Sequence, residues 1–427
     1  MPTIVAMKNS FFLHKHNILL TIAMSFGCKL KIVKSKGGLS LNLLPDMTSD
    51  FSRRAFLRMS AGAAAALAVT SLPTASLAKR LEIKPERVSL ADCLSLDEIT
   101  MAKQSSYVQH AYDFLLQTAG EIQDSSLRHT TLAILRNPAP TLMERYPGDA
   151  QKEQTKQQLV KAGYIKPDAQ YTDFLPPYQS AASAVIPFYA APGSGYASHH
   201  CYPGGLATHV AVNVNAALGF YNAYKDAFRY PMNRDIVIAA QTLHDLHKPW
   251  VFQWQPDGSS RKEYTLAGAG AHHVLSIAEL IHRQMPASLI IAMACAHNHP
   301  GTPADEQEVM SWLRAAAIIA GQDAVMYGLL ESDGQSLPLP RRAEGFITHL
   351  GDHDYVLSVP AAKWMIARLG EIARHKYAMS EPDLQSQKFN AFRNYLFSQL
   401  TLEQLYLVWS TEGDEALLDL ITATVNP

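Results

Sequence analysis

Five short segments between residues 204 and 329 carry histidine or aspartate on helix-patterned stretches, and the fold has to accommodate all of them. Apolar residues recur there at three- and four-residue intervals, as in Leu206, Val210, Val214 and Leu218. That period predicts helices at 204–224, 233–246, 271–285, 286–297 and 306–329. Asn233 and Asp235 can start the second helix, and Lys248-Pro249 stops it. The polar stations are His209 in GGLATHVA, His244-Asp245 in TLHDLHKP, His273 in AHHVLSIAELI, His297 and His299 in CAHNHPG, and Asp323 in AGQDAV. One His-Asp pair means little alone. Imidazoles and carboxylates in this number suit a divalent transition metal such as Fe, Mn, Co or Zn.

The flanks carry no such pattern. Residues 79–95 read as irregular or extended, and helices are expected at 95–121, 125–135 and 149–163. Pro138, Pro140, Pro147, Pro176 and Pro177 keep these elements short. After a polar linker to about residue 344, helices are expected at 361–377, 384–399 and 402–411. Asp352-His353-Asp354 reads as a solvated turn before a strand-like Tyr355-Val356-Leu357-Ser358-Val359. Between His244-Asp245 and His273, the run Trp250 to Trp254, then Pro256-Asp257-Gly258, then Arg261 to Leu266 reads as a hairpin. It either walls the site or packs Trp250 and Trp254 on the core, and the sequence leaves both open.

A second feature sets the expected compartment. Ser52-Arg53-Arg54-Ala55-Phe56-Leu57-Arg58 has the twin-arginine export pattern, followed by the apolar, Ala-rich run to Val69 and the small-residue exit Ser76-Leu77-Ala78. The apolar run is too short and too weakly hydrophobic to span a bilayer. The expected organisation is an upstream extension at 1–46 with translation starting at Met47, an export signal at 47–78, a helical region at 79–194, the metal-binding domain at 195–330 and a C-terminal helical region at 331–427. The mature protein would be periplasmic or secreted, with the twin-arginine translocase as its partner in transit and no stable membrane span. That route exports folded proteins, so the metal can be chosen before export.

The chain is 48% hydrophobic with a net charge of −1, which gives no basic excess toward nucleic acid or an anionic membrane. Cys93, Cys201 and Cys295 remain after residue 78. An odd number provides no disulfide framework, and they read as small buried residues.

The stretch His244-Asp245-Leu246-His247-Lys248 resembles the H-D-x-x-K centre of the HD-domain metal-dependent phosphohydrolases, with His247 where Gly is usual. His199-His200-Cys201-Tyr202-Pro203-Gly204-Gly205-Leu206-Ala207-Thr208-His209 resembles the H-H-x-Y-x-G-G-L-x-x-H segment of the branch that includes a bacterial exoribonuclease. The match continues at 273–279 and covers about 195–327. The resemblance implies a mainly α HD-type helical bundle with flanking helical regions and a small β-hairpin insertion. It implies one metal on His209, His244, Asp245 and Asp323, and a second on Asp245, His273, His297 and His299. Fe or Mn would be preferred, with Zn, Co or Mg compatible. Lys248 would contact a small anionic substrate, and His200 with His199 would orient it or donate a proton. No basic-aromatic module precedes this region, so exonuclease activity does not carry over. The expected activity is hydrolysis of a phosphate ester or nucleotide-like molecule. A di-iron oxygenase and a ligand-binding relic are the alternatives, and the ligand set is common to all three.

Overall fold

The computed structural model describes residues 29–35, 38–44 and 87–427. The chain divides into two units, Met1–Ala75 and Ser76–Pro427. In the first, β1 (Lys29–Ser35) and β2 (Gly38–Leu44) pair antiparallel, with Lys29 opposite Leu44 and Ser35 opposite Gly38. Met47 and the twin-arginine segment at 52–58, with its apolar run, lie outside the described residues.

The second unit is mainly helical. Its N-terminal part holds β3 (Val88–Ser89), α1 (Glu98–Gln104), α2 (Ser106–Gly120), α3 (Ser125–Arg136) and α4 (Asp149–Lys161). The middle holds α5 (Gly205–Phe228), α6 (Arg234–Leu243), β4 (Thr265–Leu266), β5 (Ala269–Gly270), α7 (Ala271–His282), α8 (Ala287–Ala294) and α9 (Pro303–Ala320). The C-terminal part holds α10 (Ala343–Gly351), α11 (Tyr355–Tyr377), α12 (Gln387–Leu400), α13 (Leu402–Thr424) and β6 (Val425–Asn426).

The ends of the central helices are set by local chemistry. Asn233 caps α6, its Oδ1 accepting from the backbone N–H of Asp235 at 2.9 Å. Thr302 caps α9 and Pro303 occupies its first turn, while Gly321 at φ +65° ends it. The Gly204-Gly205 pair is required where α5 begins. Gly204 has φ +91°, and a Cβ on Gly205 would lie 1.9 Å from the His200 carbonyl oxygen.

The central core is built from α6, α7, α8 and α9, with α7 along α9 and α6 against α8. Ile238, Leu243, Val274, Ile277, Leu280, Ile290, Leu313 and Ile319 are all fully buried there. At about 25 cal/mol per Å2 of apolar surface, each such side chain contributes roughly 1.5–3 kcal/mol. A second cluster joins the start of the unit to its end. Cys93 and Met101 pack with Ala361, Met365, Phe392, Leu396 and Leu405, and β3 pairs parallel with β6. Helix α5 packs on α2, α6 and α10, which brings C-terminal residues against the middle of the chain.

Several sequence expectations are corrected. The helix expected at 306–329 stops at Ala320, because Gly321 takes the left-handed conformation. The strand-like 355–359 is the first turn of α11. Ser358, Ala361, Ala362 and Met365 are buried as one helical face, and packing overrides β propensity. Helix α10, unassigned from sequence, lies between the linker and Asp352. The hairpin expected at 250–266 forms only in part. Lys248–Val251 is a helical turn, Trp254 bridges Ser260, and the paired strands are the two-residue β4 and β5. Both tryptophans pack inward, the Nε1–H of Trp250 donating to the Pro176 carbonyl and that of Trp254 to the Ala190 carbonyl, each at 3.1 Å. Cys93, Cys201 and Cys295 are free and buried. Burial pushes the Cys93 and Cys295 thiols up to about 12. No helix among the described residues is long and apolar enough to cross a membrane.

Candidate metal centre

Helix periodicity turns His209 on α5 inward with Leu206, Val210 and Val214. His244 and Asp245 directly follow α6, and both are fully buried. Asp352 caps the C-terminus of α10, its N–H bonded to the Thr348 and His349 carbonyls. These four residues converge from three helices. His209 Nε2 is 3.1 Å from Asp245 Oδ2 and 3.3 Å from Asp352 Oδ1. His244 Nε2 is 3.2 Å and 3.4 Å from the same two oxygens. Asn213, one turn along α5, donates from Nδ2 to Asp352 Oδ1 at 2.6 Å.

The other oxygens of the two carboxylates face a second group. His272 Nε2 is 3.2 Å from Asp245 Oδ1, and His297 Nε2 is 3.8 Å from Asp352 Oδ2. Three sets of ligand atoms lie close enough to hold a metal ion: His209, His244 and Asp352 in one, Asp245, His272 and His297 in a second, and His200, His209 and Asp354 beside the first. Asp245 lies between the first two, as a bridging carboxylate must.

The chemistry of this donor set fits a cation. His244 Nε2, His272 Nε2 and Asp245 Oδ1 are buried without a hydrogen-bond partner, and Asp245 Oδ2 has the Lys248 ammonium beside it at 2.5 Å. Buried carboxylates left so are costly unless a positive charge compensates them. Each imidazole is also oriented through its other nitrogen, as metal-binding histidines usually are. His244 Nδ1 donates to the Gln241 carbonyl at 2.8 Å, and His272 Nδ1 donates to Glu263 at 2.5 Å.

The charge state carries the same message. Burial alone would lower the His244 imidazole, but Asp245 and Asp352 outweigh it and hold it at about 9. His209 and His272 are likewise raised against burial, the first by Asp354 and the second by Glu263. Burial would raise the Asp245 and Asp352 carboxyls, yet His244 beside them keeps both well below the usual carboxylate range.

Three residues expected as ligands lie elsewhere. Asp323 sits exposed in the turn after α9, where its Oδ1 accepts from the Met326 N–H at 2.8 Å. At the place expected for the fifth station the structure brings Asp352 beside His209 and His244, since α9 ends before Asp323 can turn inward. His273 faces away from Asp245. Its Nε2 donates to the Ala294 carbonyl at 3.2 Å, and its ring stacks on His297 with centroids 4.1 Å apart. Successive helical residues project about 100° apart, so one of His272 and His273 can face the carboxylates, and it is His272. His299 stands in the loop after α8, its ring against His349 and Phe346.

The centre opens on a cavity of about 410 Å3 lined by Lys248, His199, Phe252, Glu263, His353 and Tyr355 among others. Lys248 Nζ lies 2.5 Å from Asp245 Oδ2 and is almost fully buried. His199 lines the cavity and His200 does not. Burial, aided by Lys248, pushes the His199 imidazole down to about 2, so it stays neutral. His200 instead holds Asp354, with Nε2 2.5 Å from Oδ2. His247, at the position where Gly is usual in the family it resembles, is buried and bonds Glu279 at 3.2 Å.

Glu263 and Asn213 were not singled out in the sequence, His272 reads there as a bystander of His273, and Asp352 and Asp354, expected in a solvated turn, are drawn instead against His209, His244 and His200. The one available signal was density: His349, Asp352, His353 and Asp354 crowd four ligand-type residues into six positions.

Fold and site define a mainly helical protein whose buried histidine and aspartate groups could bind a metal ion. The chain is 27% identical over 183 residues to the dihydroneopterin 2',3'-cyclic phosphate phosphodiesterase of Methanocaldococcus jannaschii. The aligned part is 43% of this chain and 58% of that protein. No family model and no solved structure matches the chain.

Proposed function

We propose that this protein is a metal-dependent phosphohydrolase of the HD type that cleaves a small phosphodiester or other phosphate ester. One observation carries the reading: the buried Asp245 and the partly buried Asp352 each turn one oxygen to each of two histidine groups beside a cavity that also presents Lys248. The similarity to a cyclic phosphate phosphodiesterase supports the same chemistry.

His209, His244, Asp245 and Asp352 would hold one divalent ion, and Asp245, His272 and His297 a second. A metal so held supplies a hydroxide nucleophile at neutral pH and positive charge for the phosphoryl oxygens. The protein groups do the rest. The Lys248 ammonium at the cavity wall attracts the anionic substrate and fixes its phosphate. Phe252 and Tyr355 in the cavity lining give an organic substituent apolar surface to pack on. Hydrolysis adds a water oxygen to phosphorus, breaks one P–O ester bond and leaves the departing oxygen protonated. The export pattern at 52–58 points to a periplasmic or secreted site of action. N-terminal sequencing of the periplasmic protein would test it, with a start near residue 79 expected.

The function is tested by incubating purified protein, loaded with Mn2+ or Fe2+, with nucleoside 2',3'-cyclic phosphates and bis(p-nitrophenyl) phosphate. Release of monoester is expected, with loss of activity on chelation and in Asp245→Ala. Full activity in Asp245→Ala would refute the assignment.

A further inference from the structure

Two further carboxylates stand behind two of the histidines, one on each side of the centre: Glu263, and Asp354, which also groups with His200 and His209. On the first side, Glu263 in the loop before β4 accepts at a single Oε1 from His272 Nδ1 at 2.5 Å and from the His272 backbone N–H at 2.9 Å. This leaves His272 Nε2 as the atom that meets Asp245 Oδ1. Glu263 gets so close because residue 270 is glycine: a Cβ there would lie 2.6–2.7 Å from its carboxylate atoms. On the second side, Asp354 at the start of α11 places Oδ1 3.1 Å from His209 Nδ1. Both atoms are buried, and neither has another hydrogen-bond partner. The other oxygen of Asp354 is held by His200 Nε2 at 2.5 Å. His200 is fixed in turn by backbone contacts, its carbonyl accepting from the Gly193 N–H at 2.8 Å beside the close approach of Gly205.

We propose that Glu263 and Asp354 are positioning residues for two separate metal positions, Glu263 acting through His272 and Asp354, braced by His200, acting through His209. The inference rests on the metal-site reading above. A carboxylate behind a ligand histidine fixes its tautomer and ring angle and raises its basicity, and losing such a partner weakens metal binding about 10- to 100-fold. Because the two carboxylates serve different histidines on opposite sides of Asp245, their removal should weaken different binding steps.

The test is calorimetric titration of the metal-stripped full chain with Mn2+ alone, with thermal unfolding of the stripped protein beside it. Wild type is expected to bind two equivalents. Glu263→Gln should weaken one step about 10- to 100-fold and leave the other unchanged. Gly270→Ala, which keeps the carboxylate but pushes it from His272, should weaken the same step. Asp354→Asn should weaken the other step, and His200→Gln should weaken it less. The His200 variant reads that step independently if Asp354→Asn fails to fold. Unfolding midpoints of the stripped variants should match wild type. Two unchanged steps, both carboxylates acting on one step, a wild type with one step, or a loss of affinity matched by lower stability of the stripped protein would each overturn the inference. A folded wild type that binds no metal would refute the metal reading itself.

Discussion

Glu279 gives the sharpest quantitative prediction, because its carboxylate ties three segments together with no access to water. It is 0% exposed. Oε1 accepts from the Thr141 N–H at 3.2 Å, the Thr141 hydroxyl and Arg283 Nε at 2.7 Å. Oε2 accepts from the Leu142 N–H at 2.9 Å and His247 Nε2 at 3.2 Å. Burial would raise this carboxyl, but the His247 bond, Arg283 and Thr141 outweigh it and bring it down to about 2 from an ordinary 4.5. At 1.36 kcal/mol per pH unit, that lowering from 4.5 to about 2 is about 3 kcal/mol of stability. In Glu279→Gln the charge is gone, and either amide orientation sets an NH2 against N–H donors. The expected loss at pH 7 is therefore about 3 kcal/mol, read by urea denaturation of the full chain. The folded value lies below the unfolded one, so the contribution is complete above about pH 5 and is lost as pH falls from 4.5 through 2. By about pH 3.5 the gap between wild type and variant should have narrowed by about 1 kcal/mol. A variant within about 1 kcal/mol of wild type at pH 7, or a gap independent of pH, would refute the reasoning.

Asp352→Asn should abolish metal loading measured by elemental mass spectrometry, whereas Asp323→Asn should load like wild type; the reverse pattern would restore Asp323 as the ligand. Lys248→Ala should retain metal while raising KM for an anionic phosphodiester, and an unchanged KM would remove Lys248 from substrate contact. Metal at about 1,000 times its dissociation constant should add roughly 4 kcal/mol to stability, seen as a fall in the unfolding midpoint on chelation. An unmoved midpoint would mean that the centre binds no metal in the folded state.

Much of this protein was legible along the chain because the relevant signals are local. The period of Leu206, Val210 and Val214 defines a helix face, and a histidine at 209 on that face turns inward with it. Asn233 marks the start of α6 through a bond to its own neighbour, whereas the helix expected at 306–329 overruns its stop at Gly321. Hence α5, α6, the His244-Asp245 pair and the mainly helical class could be read from sequence. The choice between His272 and His273 could not, since both lie on one buried turn of α7 and the rotation of that helix is set by its packing on α9. Nor could the exchange of Asp323 for Asp352. Asp352 reaches the centre because α10 packs against α5 and α6, a contact between parts of the chain more than a hundred residues apart. The sequence by itself determined the ligand types and the helices that carry most of them. Only the tertiary structure decided which aspartate and which histidine complete the site, because that choice depends on the long-range burial of helix faces rather than on any spacing along the chain.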